Sequence, residues 1–496
     1  MHWLQYITVV PHQLKGKEMD KKKIGLFGLI GMVIGSCIGS GVFALTGQLA
    51  QVASPGGALV AWLVVGVGFL ALALSLNNLG EKCPNLHGIF SYAEEGFGSF
   101  AGFISGWGYW LSAWLGNVAF ATMMMSTAAY FFPDFLSVDG NTLPCIIISS
   151  VFMWLLTLLV IRGVESASFL NAIVMVAKVA SIGVFVIFAI IMFNGGVFTA
   201  DFWGTLYNNA VAAGSAGEDA VSLGSISEQV FNCIIIMMWV FIGIEGASVV
   251  SSRAEKKSDA GKATVIGLVC LLVIYIAASV LPYGFMPYTE IAALDKPAML
   301  YVFDQMAPGW GGAFISIAIL ISVAGAWLSF TILPAETTGE MADHKLLPAS
   351  WGKLNDKNSP QFSLILVAIC TQVFLIITMF SQDAYNFAFS MCTVAIVVTW
   401  ALAAAYQVKH SALNKNTAQL IIGIIAVAFQ VIGVLFNGWS FLLLTCVGYI
   451  PGFFVYASAR KSEGLKLTKG EIAGIGTISA LGVLALVFVA TGVIAI

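Results

Sequence analysis

Charge is what this sequence has least of. Asp, Glu, Lys and Arg make up 9% of its 496 residues, where a soluble domain carries about 25%. That scarcity excludes a water-soluble enzyme, and a net charge of −3 offers no basic surface to a nucleic acid. Histidine is nearly absent. His2, His12, His87, His344 and His410 all fall in the tail or in loops between apolar runs, so no metal or triad constellation is expected at membrane depth. No phosphate-cradling GxxxxGK-S/T loop occurs, which argues against nucleotide-driven work. Cys37, Cys83, Cys145, Cys233, Cys270, Cys370, Cys392 and Cys446 lie mostly inside apolar segments. They show no paired spacing for a disulfide framework or a zinc site. No cofactor is expected. The first apolar run, Ile24 to Leu45, is too long for the core of a cleaved signal peptide.

What is there is apolar. Hydrophobic residues make up 59% of the chain, and mean hydropathy is +0.93. A spanning helix needs roughly 20 apolar residues, and such segments recur along the whole sequence. Thirteen are expected, at about 24–45, 57–80, 101–131, 145–163, 168–193, 230–251, 264–286, 311–335, 362–381, 384–407, 418–436, 440–458 and 472–496. The chain therefore reads as an all-α protein with the lipid bilayer as its surroundings.

The loops set its orientation. With the N-terminus inside, 20 of the 22 Lys and Arg residues fall on the cytoplasmic side, as cationic residues do in membrane proteins. Lys296 alone falls outside, and Lys178 lies within the fifth helix. The C-terminus is then external. Asp134, Asp139, Asp201, Glu218, Asp219, Glu228, Glu290, Asp295, Asp304 and Asp383 give the outer loops an acidic character. Such a face attracts cations at long range, or it reflects only the exclusion of external Lys and Arg.

Two helices carry breaks. The first reads Ile34-Gly35-Ser36-Cys37-Ile38-Gly39-Ser40-Gly41-Val42-Phe43, and the sixth Trp239-Val240-Phe241-Ile242-Gly243-Ile244-Glu245-Gly246-Ala247-Ser248. Each glycine costs a helix about 1 kcal/mol against alanine. Breaks at matched positions five helices apart point to an inverted-repeat transporter. Unwound backbone at that depth survives only against protein or a polar cavity. Free N–H groups after Gly39 can hold a carboxylate, and freed carbonyls can accept from an ammonium. An α-amino acid carries both groups on one carbon.

At these motifs, and at Gly106 to Asn117 (GWGYWLSAWLGN), the chain resembles the amino acid–polyamine–organocation superfamily. Within it the chain is most similar to the basic amino acid–polyamine antiporters, and among those to the arginine–ornithine exchangers. The resemblance runs from about residue 22 to 458. It implies a LeuT-type 5+5 inverted repeat with discontinuous helices 1 and 6. The domains expected are a cytoplasmic tail at 1–23, a twelve-helix transporter at 24–458 with repeats at about 24–193 and 230–407, and a loop with a thirteenth helix at 459–496.

The resemblance also assigns roles. Ser40 and Gly41 match positions that bind the substrate carboxylate. The carbonyls of Cys37, Trp239 and Ile242 match those that receive the α-amino group. Trp327 matches an aromatic that stacks on the cationic side chain, an interaction worth about 2 kcal/mol when desolvated. Asn117, Ser112 and Ala113 match the head-group region. The last two stand where the arginine–agmatine antiporter has alanine and then cysteine. Tyr109 and Trp239 match gate residues, and Glu245 matches a position with a pH-sensing role. Lys178 resembles a helix 5 lysine that stands where sodium-driven relatives bind their cation, which implies that no sodium is needed.

The function implied is exchange of external arginine for internal ornithine by alternating access, in a bacterial inner membrane. Histidine–histamine, tyrosine–tyramine and lysine–cadaverine exchange, or proton-coupled amino acid uptake, remain open alternatives. Relatives include both homodimers and monomers.

Overall fold

The computed structural model describes residues 24–163, 165–217, 220–249, 254–256, 258–380 and 383–494. The tail expected at 1–23 lies outside the described residues. The chain is a succession of helices. They are α1 (Leu26–Cys37), α2 (Gly41–Val52), α3 (Pro55–Lys82), α4 (Ile89–Phe97), α5 (Ser99–Ala129), α6 (Leu143–Ile161) and α7 (Glu165–Ile191). Next come α8 (Gly195–Thr199), α9 (Thr205–Ala212), α10 (Ile226–Trp239), α11 (Gly246–Val249), α12 (Ser258–Val280), α13 (Tyr288–Ala292) and α14 (Ala298–Met306). The last six are α15 (Gly311–Asp343), α16 (Gln361–Thr378), α17 (Ala384–Leu413), α18 (Thr417–Asn437), α19 (Trp439–Ser462) and α20 (Lys469–Ala490). Among the described residues β-pairing is limited to one isolated bridge, Ile24 with Ala254.

Ten of these helices are long and apolar enough to cross a membrane. The bent pair α1 and α2, which meet at 49°, brings the number to eleven. Large apolar side chains such as Leu63, Val67, Val151, Leu155, Val273 and Phe454 stand exposed on their outer faces. A soluble protein does not leave so many uncovered, whereas lipid covers them at no cost. α5 is of another kind. Nearly all its side chains are buried, and it packs between α15 and α17 at the centre of the molecule. α20 lies at the opposite extreme, on the periphery against α19, with most of its surface outward.

Helix starts follow local chemistry. The Ser54 hydroxyl accepts from the Gly57 amide at 3.3 Å, with Pro55 opening α3. Ser225 and Glu228 form a capping box on α10, and Thr468 and Glu471 form one on α20. Each satisfies two amides that a helix start leaves free. Several helices outrun the apolar segments that mark them. α15 continues to Asp343 with Pro334 inside it, and α17 to Leu413, because backbone hydrogen bonding continues into the polar residues that follow the apolar run. The apolar run expected at 230–251 is two helices, α10 and α11, separated by turns.

Candidate functional site

The site begins where α1 stops. Its last helical residue is Cys37, and Ile38, Gly39 and Ser40 carry the chain into α2 with no side chain capping the new start. The first amides of α2 have no helical carbonyl before them. Between α10 and α11 the backbone unwinds similarly, and Gly243 takes φ +106°, a conformation that L side chains rarely adopt.

The two breaks lie against each other. A Cβ added at Gly243 would meet the Ser36 backbone carbon at 2.9 Å and its oxygen at 3.0 Å. A Cβ at Gly41 would meet Val240 at 2.7 Å and Trp239 at 2.9 Å. Only glycine permits this approach.

Backbone groups released by unwinding must find partners, and side chains from four elements supply them. The Ser36 hydroxyl donates to the Gly243 carbonyl at 2.8 Å. Tyr275 on α12 donates to the Val240 carbonyl at 2.9 Å. Ser322 on α15 reaches the Ile38 and Gly39 carbonyls at 3.4 and 3.3 Å. Lys178 on α7, only 3% exposed, donates from Nζ to the carbonyls of Gly35 and Ile38, the latter at 2.6 Å. An ammonium buried at this depth is costly without such partners, and carbonyl oxygens take the place of its water shell. Glu245, the other charge, is also buried, and its Oε2 accepts from the Trp400 indole at 3.2 Å.

Between the breaks lies a cavity lined by Ser36, Cys37, Gly39, Ser40, Gly41, Phe120, Trp239, Val240, Ile242 and Phe330. Its free space is about 10 Å³, counted as room for the centre of a water-sized sphere. One water fits, and little else. Three aromatic rings close it. Phe120 lies 5.9 Å from Trp239 and 5.0 Å from Phe330 between centroids. The Tyr385 hydroxyl on α17 accepts from the Trp239 indole at 3.2 Å and lies 3.4 Å from the Ser40 hydroxyl.

The residues singled out from sequence thus divide into two groups. Cys37, Ser40, Gly41, Trp239 and Ile242 line the cavity. Ser112, Ala113, Asn117, Tyr109, Trp327, Glu245 and Lys178 are buried and do not line it. Asn117 reaches the wall through its amide, which donates to the Phe330 carbonyl at 3.5 Å and leaves its Oδ1 without a partner. Ser112 contacts Cys392 at 3.2 Å. Trp327 is fully buried against Phe152, its indole N–H unpartnered. The neighbouring Ala326 is one of the groups a side chain at Gly39 would strike.

Sequence reasoning missed Phe120, Phe330, Tyr385 and Ser322. Phe120 stands one helical turn beyond Asn117, and that spacing places it on the same side of α5. Nothing comparable marks the other three.

Residues 24–442 match the sequence profile of the amino acid permease family. The chain is 53% identical over 461 residues to an arginine/ornithine antiporter of Latilactobacillus sakei, covering 92% of this chain and 94% of that one. It is 46% identical over 471 residues to an arginine/ornithine antiporter of Lactococcus lactis subsp. cremoris, covering 94% and 90%. It is also 33% identical over 489 residues to an arginine/agmatine antiporter of Chlamydia caviae, covering 96% and 98%.

Proposed function

Since this chain belongs to the amino acid permease family and is a membrane transporter rather than an enzyme, we propose that it exchanges external arginine for internal ornithine by alternating access. The narrow cavity between the two helix breaks carries this reading. It joins the uncapped start of α2 to a wall of carbonyls and aromatic rings. Similarity to two antiporters named for arginine and ornithine supports the substrate pair.

In this reading the Ser40 and Gly41 amides hold the carboxylate, and the carbonyls of Cys37, Trp239 and Ile242 receive the α-amino group. The orphan Oδ1 of Asn117 is an acceptor awaiting a guanidinium N–H, with Ser112 and Ala113 beside it on α5. Trp327 stacks on the guanidinium once the Phe120 and Phe330 rings have swung away. Trp239 is the gate over the site, latched by Tyr385, and Tyr109 belongs to the gate deeper along α5. The cavity as described is narrower than an amino acid, so binding separates its walls, and closure around a new substrate licenses the return step.

The fold proposed is a LeuT-type 5+5 inverted repeat of thirteen spans. Eleven come from the helices and the bent pair already counted. The buried α5 and the broken pair α10 and α11 supply the other two. The transporter domain then covers 24–458, with α20 as an added thirteenth helix, the N-terminus cytoplasmic and the C-terminus external.

Counterflow in proteoliposomes tests the substrate pair. Vesicles loaded with ornithine are expected to take up labelled arginine at many times the rate of empty vesicles. Equal uptake into empty vesicles, or faster exchange for agmatine, cadaverine or histamine, would reject arginine–ornithine exchange.

Glu245 is proposed to couple protonation to gate movement. An ionised carboxylate accepts the Trp400 indole N–H in a charge-assisted bond, and protonation weakens that acceptor, so its state alters the hold on α17. Glu245→Gln is expected to flatten the pH profile of exchange. A profile matching the wild type in shape would remove this role.

A further inference from the structure

A second and larger cavity lies among the short elements on the face proposed as external. The segment carrying α8 and α9, the 3-10 turn Leu281–Gly284 and the start of α13 wall it. It shares no lining residue with the cavity between the breaks. Its free volume is about 270 Å³ by the same measure. That is room for roughly 20 waters, and so for an amino acid of arginine's size. The cavity opens past Leu206, which is exposed.

The lining has one chemical character. The rings of Phe198, Tyr207, Tyr283 and Tyr288 share it with the Asp201 carboxylate, and no lysine, arginine or histidine lines it. Tyr207 and Tyr288 stand nearly perpendicular, at 73° and 6.3 Å between centroids. Asp201 is fixed where they meet. Its Oδ1 accepts from the Leu206 amide at 3.0 Å, and its Oδ2 from the Tyr207 amide at 3.0 Å and the Tyr288 hydroxyl at 2.9 Å. All three donors are neutral, so they orient the carboxylate without cancelling its charge. The sequence places no Lys, Arg or His between Lys178 and Arg253, so the segment supplies no cation of its own.

We propose that this cavity is a second, external binding site for the cationic amino acid, with its guanidinium or ammonium against the Tyr207 and Tyr288 rings beside Asp201. The inference rests on the reading of the chain as a carrier of arginine. Aromatic faces attract a cation more strongly where water is partly excluded, and Tyr288 is buried while Tyr207 is half-buried. An anion would be repelled by Asp201. The cavity walls are also fastened to the outer ends of two long helices. The Phe202 carbonyl accepts from the Gly56 amide on α3 at 2.7 Å. Gln229 on α10 accepts from the Ser54 amide at 3.0 Å and its hydroxyl at 2.9 Å, and donates to the Trp203 carbonyl at 3.4 Å. α10 ends at Trp239, so a cation held here steadies the outer end of the helix that carries the gate.

Equilibrium binding of labelled arginine to the full chain in phosphatidylglycerol nanodiscs tests this, since that lipid has no amine headgroup. The wild type is expected to bind two arginines per chain. Tyr207→Ala, which leaves the backbone amide on Asp201 in place, should weaken one of them about five-fold or more and leave the other unchanged. Tyr207→Phe, which keeps the ring, should retain both. Asp201→Asn should weaken the same site as Tyr207→Ala. The inference is overturned by a single arginine per chain in a protein that exchanges arginine, or by two sites left unaltered in Tyr207→Ala or in Asp201→Asn. Loss of the second arginine when the nanodiscs contain phosphatidylethanolamine would assign the cavity to a lipid ammonium and overturn its assignment to the substrate. A wild-type protein that neither binds nor exchanges arginine would instead overturn the substrate reading beneath it.

Discussion

Gly243→Ala is expected to slow exchange on the order of 100-fold, while Gly246→Ala, three residues on, slows it by less than about three-fold; a 100-fold loss corresponds to roughly 2.7 kcal/mol at the transition state. The contrast follows from what each new methyl meets. At Gly243 the backbone has φ +106°, and holding an L residue in such a region costs about 1–3 kcal/mol. The methyl would also press on the Ser36 backbone at 2.9 and 3.0 Å, and a backbone cannot rotate out of the way. Relief requires the two breaks to part, which strains the bond from the Ser36 hydroxyl to the Gly243 carbonyl. At Gly246 the nearest atom is the Ser36 hydroxyl at 3.1 Å, the end of a small side chain. Initial exchange rates in proteoliposomes, normalised to protein recovered in folded form, check the pair. Equal rates for Gly243→Ala and wild type would mean that contact between the breaks is dispensable.

Lys178→Met should be nearly as damaging by a different route. Methionine fills similar space but donates nothing. The ammonium serves the Gly35 and Ile38 carbonyls, and hydrogen bonds to a charged group contribute roughly 1.5–3 kcal/mol each. Ser322 still reaches Ile38 from the far side, so Gly35 bears most of the loss. A lower melting temperature in detergent is expected, together with an exchange rate reduced about 30- to 100-fold, roughly 2–3 kcal/mol. The same geometry predicts that wild-type exchange runs equally well in sodium and in choline buffers, since a fixed cation already occupies the carbonyls of the break. A requirement for sodium would contradict that role for Lys178, as would a Lys178→Met protein of unaltered stability.

The parts legible in the sequence were those written in composition or in glycine. Apolar runs marked the spans because lipid tolerates little else. Gly39, Gly41 and Gly243 marked the breaks, and at Gly41 and Gly243 an added side chain would come within 3.0 Å of the facing break. Cys37, Ser40, Gly41, Trp239 and Ile242 came together at the cavity because they flank those glycines.

What was not legible depends on neighbours distant in the chain. Phe330 and Tyr385 sit in apolar helices where an aromatic is unremarked, and reach the site only because α15 brings Phe330 to Phe120 and α17 brings Tyr385 to Trp239. The short helices α4, α8, α9, α13 and α14 carry too few apolar residues to stand out from loops. Ser225 and Glu228 start α10 four residues ahead of the apolar run by capping chemistry rather than by hydropathy. Trp327 shows the limit from the other side. Its residue type suits a stacking partner, but nothing in the sequence shows that its ring lies fully buried against Phe152.

The narrowness of the space between the breaks also bears on how its walls respond to change. A gap with room for about one water leaves its lining side chains packed on one another. The three rings that bound that gap touch in series, Trp239 on Phe120 and Phe120 on Phe330, so trimming any one of them leaves a hole into which its neighbour relaxes.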